Sequence, residues 1–387
     1  MKENRSTSDM SACGSCSTRN ESFGILRVAL KKNNSFRPER RSISCLKPTR
    51  DARLMSVKEE SAHAPDAPAI QSYGDDERPL PHDPLTAGRT TDAASRDSMI
   101  WVRGGSFQMG SNNFYREERP VRTEPVSGFW MDLHPVTNAQ FRQFIESTRY
   151  VTYSERQPDA AMYRDATPSL LVPGSLVFRK PPGPVDLRDY RAWWEYVPGA
   201  DWRHPEGPDS TIDSRDDHPV VHVAYEDARA YAVWAGKELP TESEWEFAAR
   251  GGLESATYAW GETVAQEGRA MANTWQGRFP WENLKEDGYE GTSPIDAFPA
   301  NGYGLYDMIG NVWEWTASMY TPLRADTVKK SCCMPGDPGN RDTRHVMKGG
   351  SHLCAPNYCL RYRPAARQGE PADASACHIG FRCVVRP

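Results

Sequence analysis

Two cysteines near the C-terminus, Cys354 and Cys359, are separated by four residues, Pro356 among them. Proline inside a helix removes a backbone donor and clashes with the preceding turn, so this segment turns and can bring the two sulfurs together. Arg361, Arg363 and Arg367 follow, and nearby cations favour thiolate over thiol. Two thiolates with no carboxylate or second pair beside them suit a soft ion of low coordination number. Cu(I) leads, because Zn(II) wants four ligands. Spacing alone leaves open a local disulfide or two buried thiols.

A second constellation is rich in oxygen. Asn273, Asp287, Asp307 and Glu314 sit in loop sequence with Gly288, Gly302, Gly304 and Gly310. Hard oxygen ligands with loop carbonyls suit Ca2+. The spacing is not that of an EF-hand, so residue types alone do not carry the assignment. Two other cysteine pairs receive no chemistry. Cys13-Gly-Ser-Cys16 has redox or half-zinc spacing without a second pair, and Cys332-Cys333 reads as part of a surface loop.

Three short helices and a set of hairpins must position these residues. Thr137-Asn-Ala-Gln140 has the form of a capping box and precedes Phe141, Phe144 and Ile145 on one face. A second helix is predicted from about Tyr225 to Ala235, burying Ala228, Tyr231, Ala232 and Ala235 and stopping at Gly236. The third starts at Thr241-Glu-Ser-Glu244, buries Trp245, Ala248 and Ala249, and ends at Gly251-Gly252. Residues 99–130 alternate apolar and polar positions between glycines, which predicts paired strands around turns. Beyond residue 252 the chain is dense in Gly, Pro, Asn and Asp, interleaved with Trp260, Trp275, Trp281, Trp313 and Trp315. So many aromatics need burial, so this part is expected to be compact with little regular structure.

The first 98 residues differ from the rest. All 12 tryptophans lie at Trp101 or later, and the leader shows no apolar periodicity. It cannot bury enough surface to offset its ordering entropy, so residues 1–98 are expected to be disordered and 99–387 to form the domain. Residues 23–58 are basic and poor in acids, as in an organelle transit peptide, but the reading taken is an unstructured tail. Its longest apolar run, Phe23 to Leu30, is interrupted by Arg27 and falls short of the ~18 residues of a membrane span. Residues 99–387 carry 31 basic and 38 acidic side chains, so nothing electrostatic points to nucleic acid. Nine cysteines, none between Cys45 and Cys332, make no disulfide framework and point to a reducing, cytoplasmic setting.

Lys348-Gly-Gly-Ser351, Cys354, Tyr358-Cys359, Arg361-Tyr-Arg363, Ala365-Ala-Arg367 and Gly380-Phe-Arg-Cys383 resemble the active-site block of the formylglycine-generating enzymes. Upstream blocks agree in order: Gly104-Gly-Ser-Phe-Gln-Met-Gly-Ser111, His218-Pro-Val-Val-His-Val223, Ala235-Gly-Lys-Glu-Leu-Pro-Thr-Glu-Ser-Glu-Trp-Glu246, Asn301-Gly-Tyr-Gly-Leu-Tyr306 and Gly310-Asn-Val-Trp-Glu-Trp-Thr316. The resemblance covers about residues 99–387. Most of these blocks mark the whole superfamily; only the Cys354 and Cys359 pair marks the oxidase.

The resemblance implies an α+β, loop-rich fold similar to C-type lectins. It implies a copper-dependent oxidase that converts the cysteine of a Cys-x-Pro-x-Arg motif in an unfolded sulfatase segment to Cα-formylglycine with O2. The substrate cysteine would join as a third thiolate, lose a hydrogen from Cβ, and hydrolyse through a thioaldehyde. By the same resemblance Cys354 and Cys359 hold Cu(I), and Ser351 hydrogen-bonds in the site. Trp313, Tyr358 and His378 line the oxygen and substrate pocket, although many relatives carry Asn in place of His378. Structural Ca2+ would be held by Asn273, the Thr274 carbonyl, Asp287 and the Tyr289 carbonyl, and by Asp307, Gly310, Val312 and Glu314. The positions of the two disulfides of animal members are here Ala232, Ala249, Pro364 and Cys383. A monomer is expected. The rivals are a non-oxidase binding or scaffold module of the same superfamily and an iron sulfoxide synthase. The second needs a His-rich helical domain that the leader, with only His63 and His82, does not supply.

Overall fold

A computed structural model describes Arg96, residues 98–161, Tyr163, residues 166–321 and residues 343–387. The expectations for Cys13-Gly-Ser-Cys16, for Cys332-Cys333 and for the leader lie outside these residues, except at Arg96 and Ser98, which lie against the domain: Arg96 sits over the Trp130 ring at 5.2 Å and Ser98 O accepts Leu133 N–H at 3.0 Å. The three predicted helices are present: α1 (Asn138–Thr148), α2 (Tyr225–Trp234) and α3 (Glu242–Arg250). Thr137 and Thr241 close the expected capping boxes on Gln140 and Glu244, each cap being worth about 0.5–2 kcal/mol. Helix α3 ends at Gly251 in the left-handed region, φ 56°, where a side chain would be strained. Among the described helices none is long and apolar enough to cross a membrane.

The strands form small sheets. β1 (Met99–Val102) and β4 (Phe129–Asp132) pair antiparallel, with β13 (Val384–Val385) on the far side of β4. Nested inside them, β2 (Gly105–Met109) pairs with β3 (Arg122–Val126). Two more hairpins are β5 (Gly174–Phe178) with β6 (Trp194–Pro198) and β7 (Ala265–Gln266) with β8 (Arg269–Ala270). The largest sheet has the order β11-β10-β9-β12, from β9 (Trp313–Met319), β10 (Arg344–Lys348), β11 (Arg367–Pro371) and β12 (Ile379–Gly380). β12 runs parallel to β9; the other pairs are antiparallel.

Two hydrophobic clusters hold these pieces. One packs α1 and α2, through Phe141, Phe144 and Tyr231, against Trp202, Trp275, Trp315 and Phe381. The other packs α3, through Trp245 and Ala248, against β1, β2 and β4. The result is an α+β fold in which loops carry much of the core. Of the tryptophans expected to be buried beyond residue 252, Trp275 is so in a loop and Trp313 and Trp315 on β9, while Trp260 and Trp281 are half-buried.

Candidate active site

The cysteine segment leaves β10 through Gly349 and Gly350, both at positive φ (94° and 73°). A Cβ at Gly350 would lie 2.9 Å from the backbone of Tyr362, so only glycine lets the returning strand approach this closely. Lys348, fully buried just before the turn, is paired to Glu246 at 2.8 Å. After the turn, Cys354 N–H donates to Ser351 O at 2.9 Å and Cys359 N–H to Ala355 O at 2.8 Å. Trp275 N–H anchors the loop from outside by donating to Cys354 O at 3.0 Å.

The two sulfurs lie 3.1 Å apart. That exceeds the ~2.05 Å of a disulfide bond, and both cysteines are free thiols. Ser351 N–H points at Cys354 Sγ from 3.4 Å, and Ser351 Oγ accepts Leu353 N–H. Arg361 Nη1 stands 4.0 Å from Cys359 Sγ. The pair is electrically uneven. The hydrogen bond from Cys354, with the Arg361 charge, lowers the Cys359 thiol to about 6. Burial, then the bond to Cys359, pushes the Cys354 thiol up. Of the two, Cys359 is the sulfur at which negative charge is favoured.

Of the three arginines expected to act on the thiols, only Arg361 reaches a sulfur. Arg363 is spent on Glu118, at 2.9 and 2.5 Å, and Arg367 on Glu242, at 2.7 and 2.9 Å. A buried guanidinium is drawn to the nearest carboxylate that can accept two hydrogen bonds.

Tyr358, 38% exposed, forms an open aromatic floor next to the pair. Its ring stacks on Phe279 (4.7 Å, 9°) and meets Trp193 edge-on (5.4 Å, 82°). Burial, then charge on Cys359, pushes its phenol up. Asn357 fixes Phe279 by exchanging hydrogen bonds with its backbone at 3.3 and 3.2 Å. Trp313 and His378 are joined by a backbone hydrogen bond of 2.8 Å. Trp313 is buried in the core cluster that also holds Cys354 and Cys359, while the His378 ring packs on Trp194 at 4.9 Å. Sequence reasoning missed Phe279, Trp193 and Tyr115. The Tyr115 hydroxyl accepts Leu360 N–H at 2.9 Å across 245 positions. The one signal in the sequence was the density of loop aromatics, which does not say which of them meet.

A family model described as the sulfatase-modifying factor enzyme 1-like domain matches residues 86–387. The chain belongs to that family. It is 56% identical over 296 residues to the formylglycine-generating enzyme of Mycobacterium tuberculosis, covering 75% of this chain and 98% of that protein. To the formylglycine-generating enzyme of Mus musculus it is 43% identical over 303 residues, covering 78% and 77%. A third relative, the inactive C-alpha-formylglycine-generating enzyme 2 of Mus musculus, is 39% identical over 297 residues, covering 75% and 86%. Membership of the sulfatase-modifying factor family therefore does not by itself settle activity, and the weight falls on the site.

In this family member, the donor set at the cysteines fits a soft ion: two buried sulfurs 3.1 Å apart with a guanidinium beside them. Among the described residues no cluster of three or more His, Cys, Asp or Glu is placed to hold a metal.

The two oxygen-rich loops differ. Asp287 accepts Thr274 N–H (3.1 Å) and Gln276 Nε2 (2.8 Å) on one oxygen and Tyr289 N–H (3.0 Å) on the other. The Thr274 carbonyl takes the Gln276 amide, and the Asn273 carbonyl takes Asn311 N–H. The first set is thus gathered but already supplied with protein donors. In the second, Asp307 is 7% exposed and neither carboxylate oxygen has a well-formed hydrogen bond, with Asn311 and the Asp296 backbone as the donors facing it. Burial raises it to about 7. Glu314, by contrast, is saturated by Arg382 (2.7 and 2.8 Å) and Trp245 Nε1 (2.7 Å). A buried carboxylate short of hydrogen bonds fits a cation ligand, so the Asp307 turn offers free oxygen lone pairs, while those of Asp287 are shared with protein donors.

This difference gives a stability prediction. A carboxyl raised in the folded state binds its proton more tightly there than in the unfolded chain. Its contribution is therefore present below about pH 4 and lost as pH rises to about 7. In strong chelator, wild type should fall by several degrees in melting temperature relative to Asp307→Asn across that window. Added Ca2+ should remove the decline. A constant difference between the two proteins from pH 4 to 8 would refute it.

Proposed function

We propose that this chain is a copper-dependent oxidase that converts the cysteine of a Cys-x-Pro-x-Arg segment in an unfolded sulfatase to Cα-formylglycine, with O2 as oxidant. The observation that carries the reading is the pair of buried sulfurs 3.1 Å apart beside an open aromatic floor. The names of the most similar relatives support the substrate class. Copper and O2 rest on the chemistry of the two sulfurs and on the family resemblance.

Cys354 and Cys359 would hold the ion, which would supply one-electron redox chemistry toward O2. Every other role belongs to the chain. Cys354 must release its proton before it can ligate, so affinity should rise as pH rises. Arg361 offsets the negative charge that two thiolates bring. Tyr358, exposed and held rigid by the buried rings of Phe279 and Trp193, offers an apolar surface on which an extended peptide can lie, converting a bimolecular encounter into a positioned one. Buried Ser351 braces the Cys354 turn. Trp313 and His378 form the inner wall. The Asp307 turn would hold a structural Ca2+. The cysteine usage supports action in a reducing, cytoplasmic compartment.

The test is mass spectrometry of a Cys-x-Pro-x-Arg peptide incubated with the full chain, Cu(I), O2 and a reductant. The peptide should lose its thiol and gain an aldehyde, and Zn2+ in place of copper should give no turnover. An unmodified peptide would leave the binding-module reading standing.

A further inference from the structure

We propose that Tyr115 is a positioning residue for the cysteine pair, acting through Arg361. This inference rests on the copper reading above.

Tyr115 lies in the connection between β2 and β3, next to a 3-10 turn at Arg116–Glu118. The whole segment grips residues 360–363 from one side. The Tyr115 hydroxyl accepts Leu360 N–H at 2.9 Å, and the Arg361 guanidinium lies 4.0 Å from the centre of the Tyr115 ring. Glu117 accepts from Arg361 Nη2 at 2.6 Å. Phe114 lies under the Arg363 guanidinium at 3.7 Å, and Glu118 pairs with that residue.

An arginine side chain has many rotamers, and holding one costs entropy. Here the ring fixes the plane of the guanidinium while Glu117 fixes its far corner. The remaining corner, Nη1, is thereby aimed at Cys359 Sγ, 4.0 Å away. Two thiolates around a monovalent cation carry a net negative charge in a site screened from water. A cation held beside them offsets that charge, and one free to swing into solvent does not. Groups that orient or support a metal's ligands from outside alter affinity by about 10–100-fold.

The experiment is an anaerobic competition between the full chain and a chromophoric Cu(I) chelator. Tyr115→Leu and Tyr115→Phe are each made in the wild-type and in the Arg361→Gln background. With Arg361 present, Tyr115→Leu should weaken Cu(I) binding by about tenfold, through the lost ring. Tyr115→Phe keeps the ring but frees Leu360 N–H, and should weaken it by roughly fivefold. In the Arg361→Gln background both losses should shrink to within about twofold, because a residue acting through another has no further effect once that one is gone. A purely packing role would lower the melting temperature yet leave the two backgrounds equally affected. If Tyr115→Leu does not fold, the Tyr115→Phe pair decides. Wild-type affinity in either folded variant, or equal losses in the two backgrounds, overturns this inference alone. A wild type that takes up no Cu(I) overturns the copper reading and this inference with it.

Discussion

Replacing either Cys354 or Cys359 with serine should abolish stoichiometric Cu(I) binding and lower peptide conversion by orders of magnitude. The substitution changes little in size but exchanges a soft sulfur for a hard hydroxyl that stays protonated. One remaining thiolate cannot hold Cu(I) against competing thiols. The effect should be felt at either position because the sulfurs, 3.1 Å apart, act as a pair. The cysteines are 2% and 9% exposed, so each serine buries a hydroxyl at a cost of about 1–3 kcal/mol. That is affordable for a folded domain of this size, and the loss should be chemical rather than structural. Anaerobic titration should show one equivalent of Cu(I) bound by wild type and none by either variant, with similar circular dichroism. A fully active Cys359→Ser protein would remove the assignment.

Glu118→Ala should destabilise the fold by about 3–5 kcal/mol. Glu118 and Arg363 are each 1% exposed and joined by two hydrogen bonds. Removing the carboxylate strands a guanidinium in the interior, which costs more than the pair itself contributes. The pair also ties the β2–β3 connection to the cysteine segment 245 positions later, so the loss should be felt at the site. Copper affinity should weaken along with the denaturation midpoint. Glu118→Gln, which keeps hydrogen-bonding capacity without the charge, should fall between wild type and alanine. Equilibrium denaturation checks this, and a change under about 1 kcal/mol would show that water reaches Arg363.

The helices were legible because their signals are local. Thr137 bonds to Gln140 and Thr241 to Glu244, three residues away. Gly251 stops α3 by its own backbone freedom. The cysteine turn was legible for the same reason: Pro356 forbids a helix between two sulfurs only five positions apart. The strands between residues 99 and 130 were visible as alternation. Their nesting, with β2–β3 inside β1–β4, depends on register between segments and was not.

Residue types and spacing set out the chemistry on offer: two thiols, a run of arginines and a set of loop carboxylates. What each of them does depends on which distant segment the fold brings beside it. Arg361 faces a sulfur while Arg363 and Arg367 are taken by Glu118 and Glu242. Asp287 accepts hydrogen bonds from neighbouring donors on both oxygens, while Asp307 is buried short of well-formed ones. Tyr115, from the first hairpin, seats the guanidinium beside Cys359. Caps and turns are settled within a few residues by backbone geometry. The choice of partner for a buried charge is settled by which distant segment packing delivers within about 3 Å of it, and that distance is a property of the folded core.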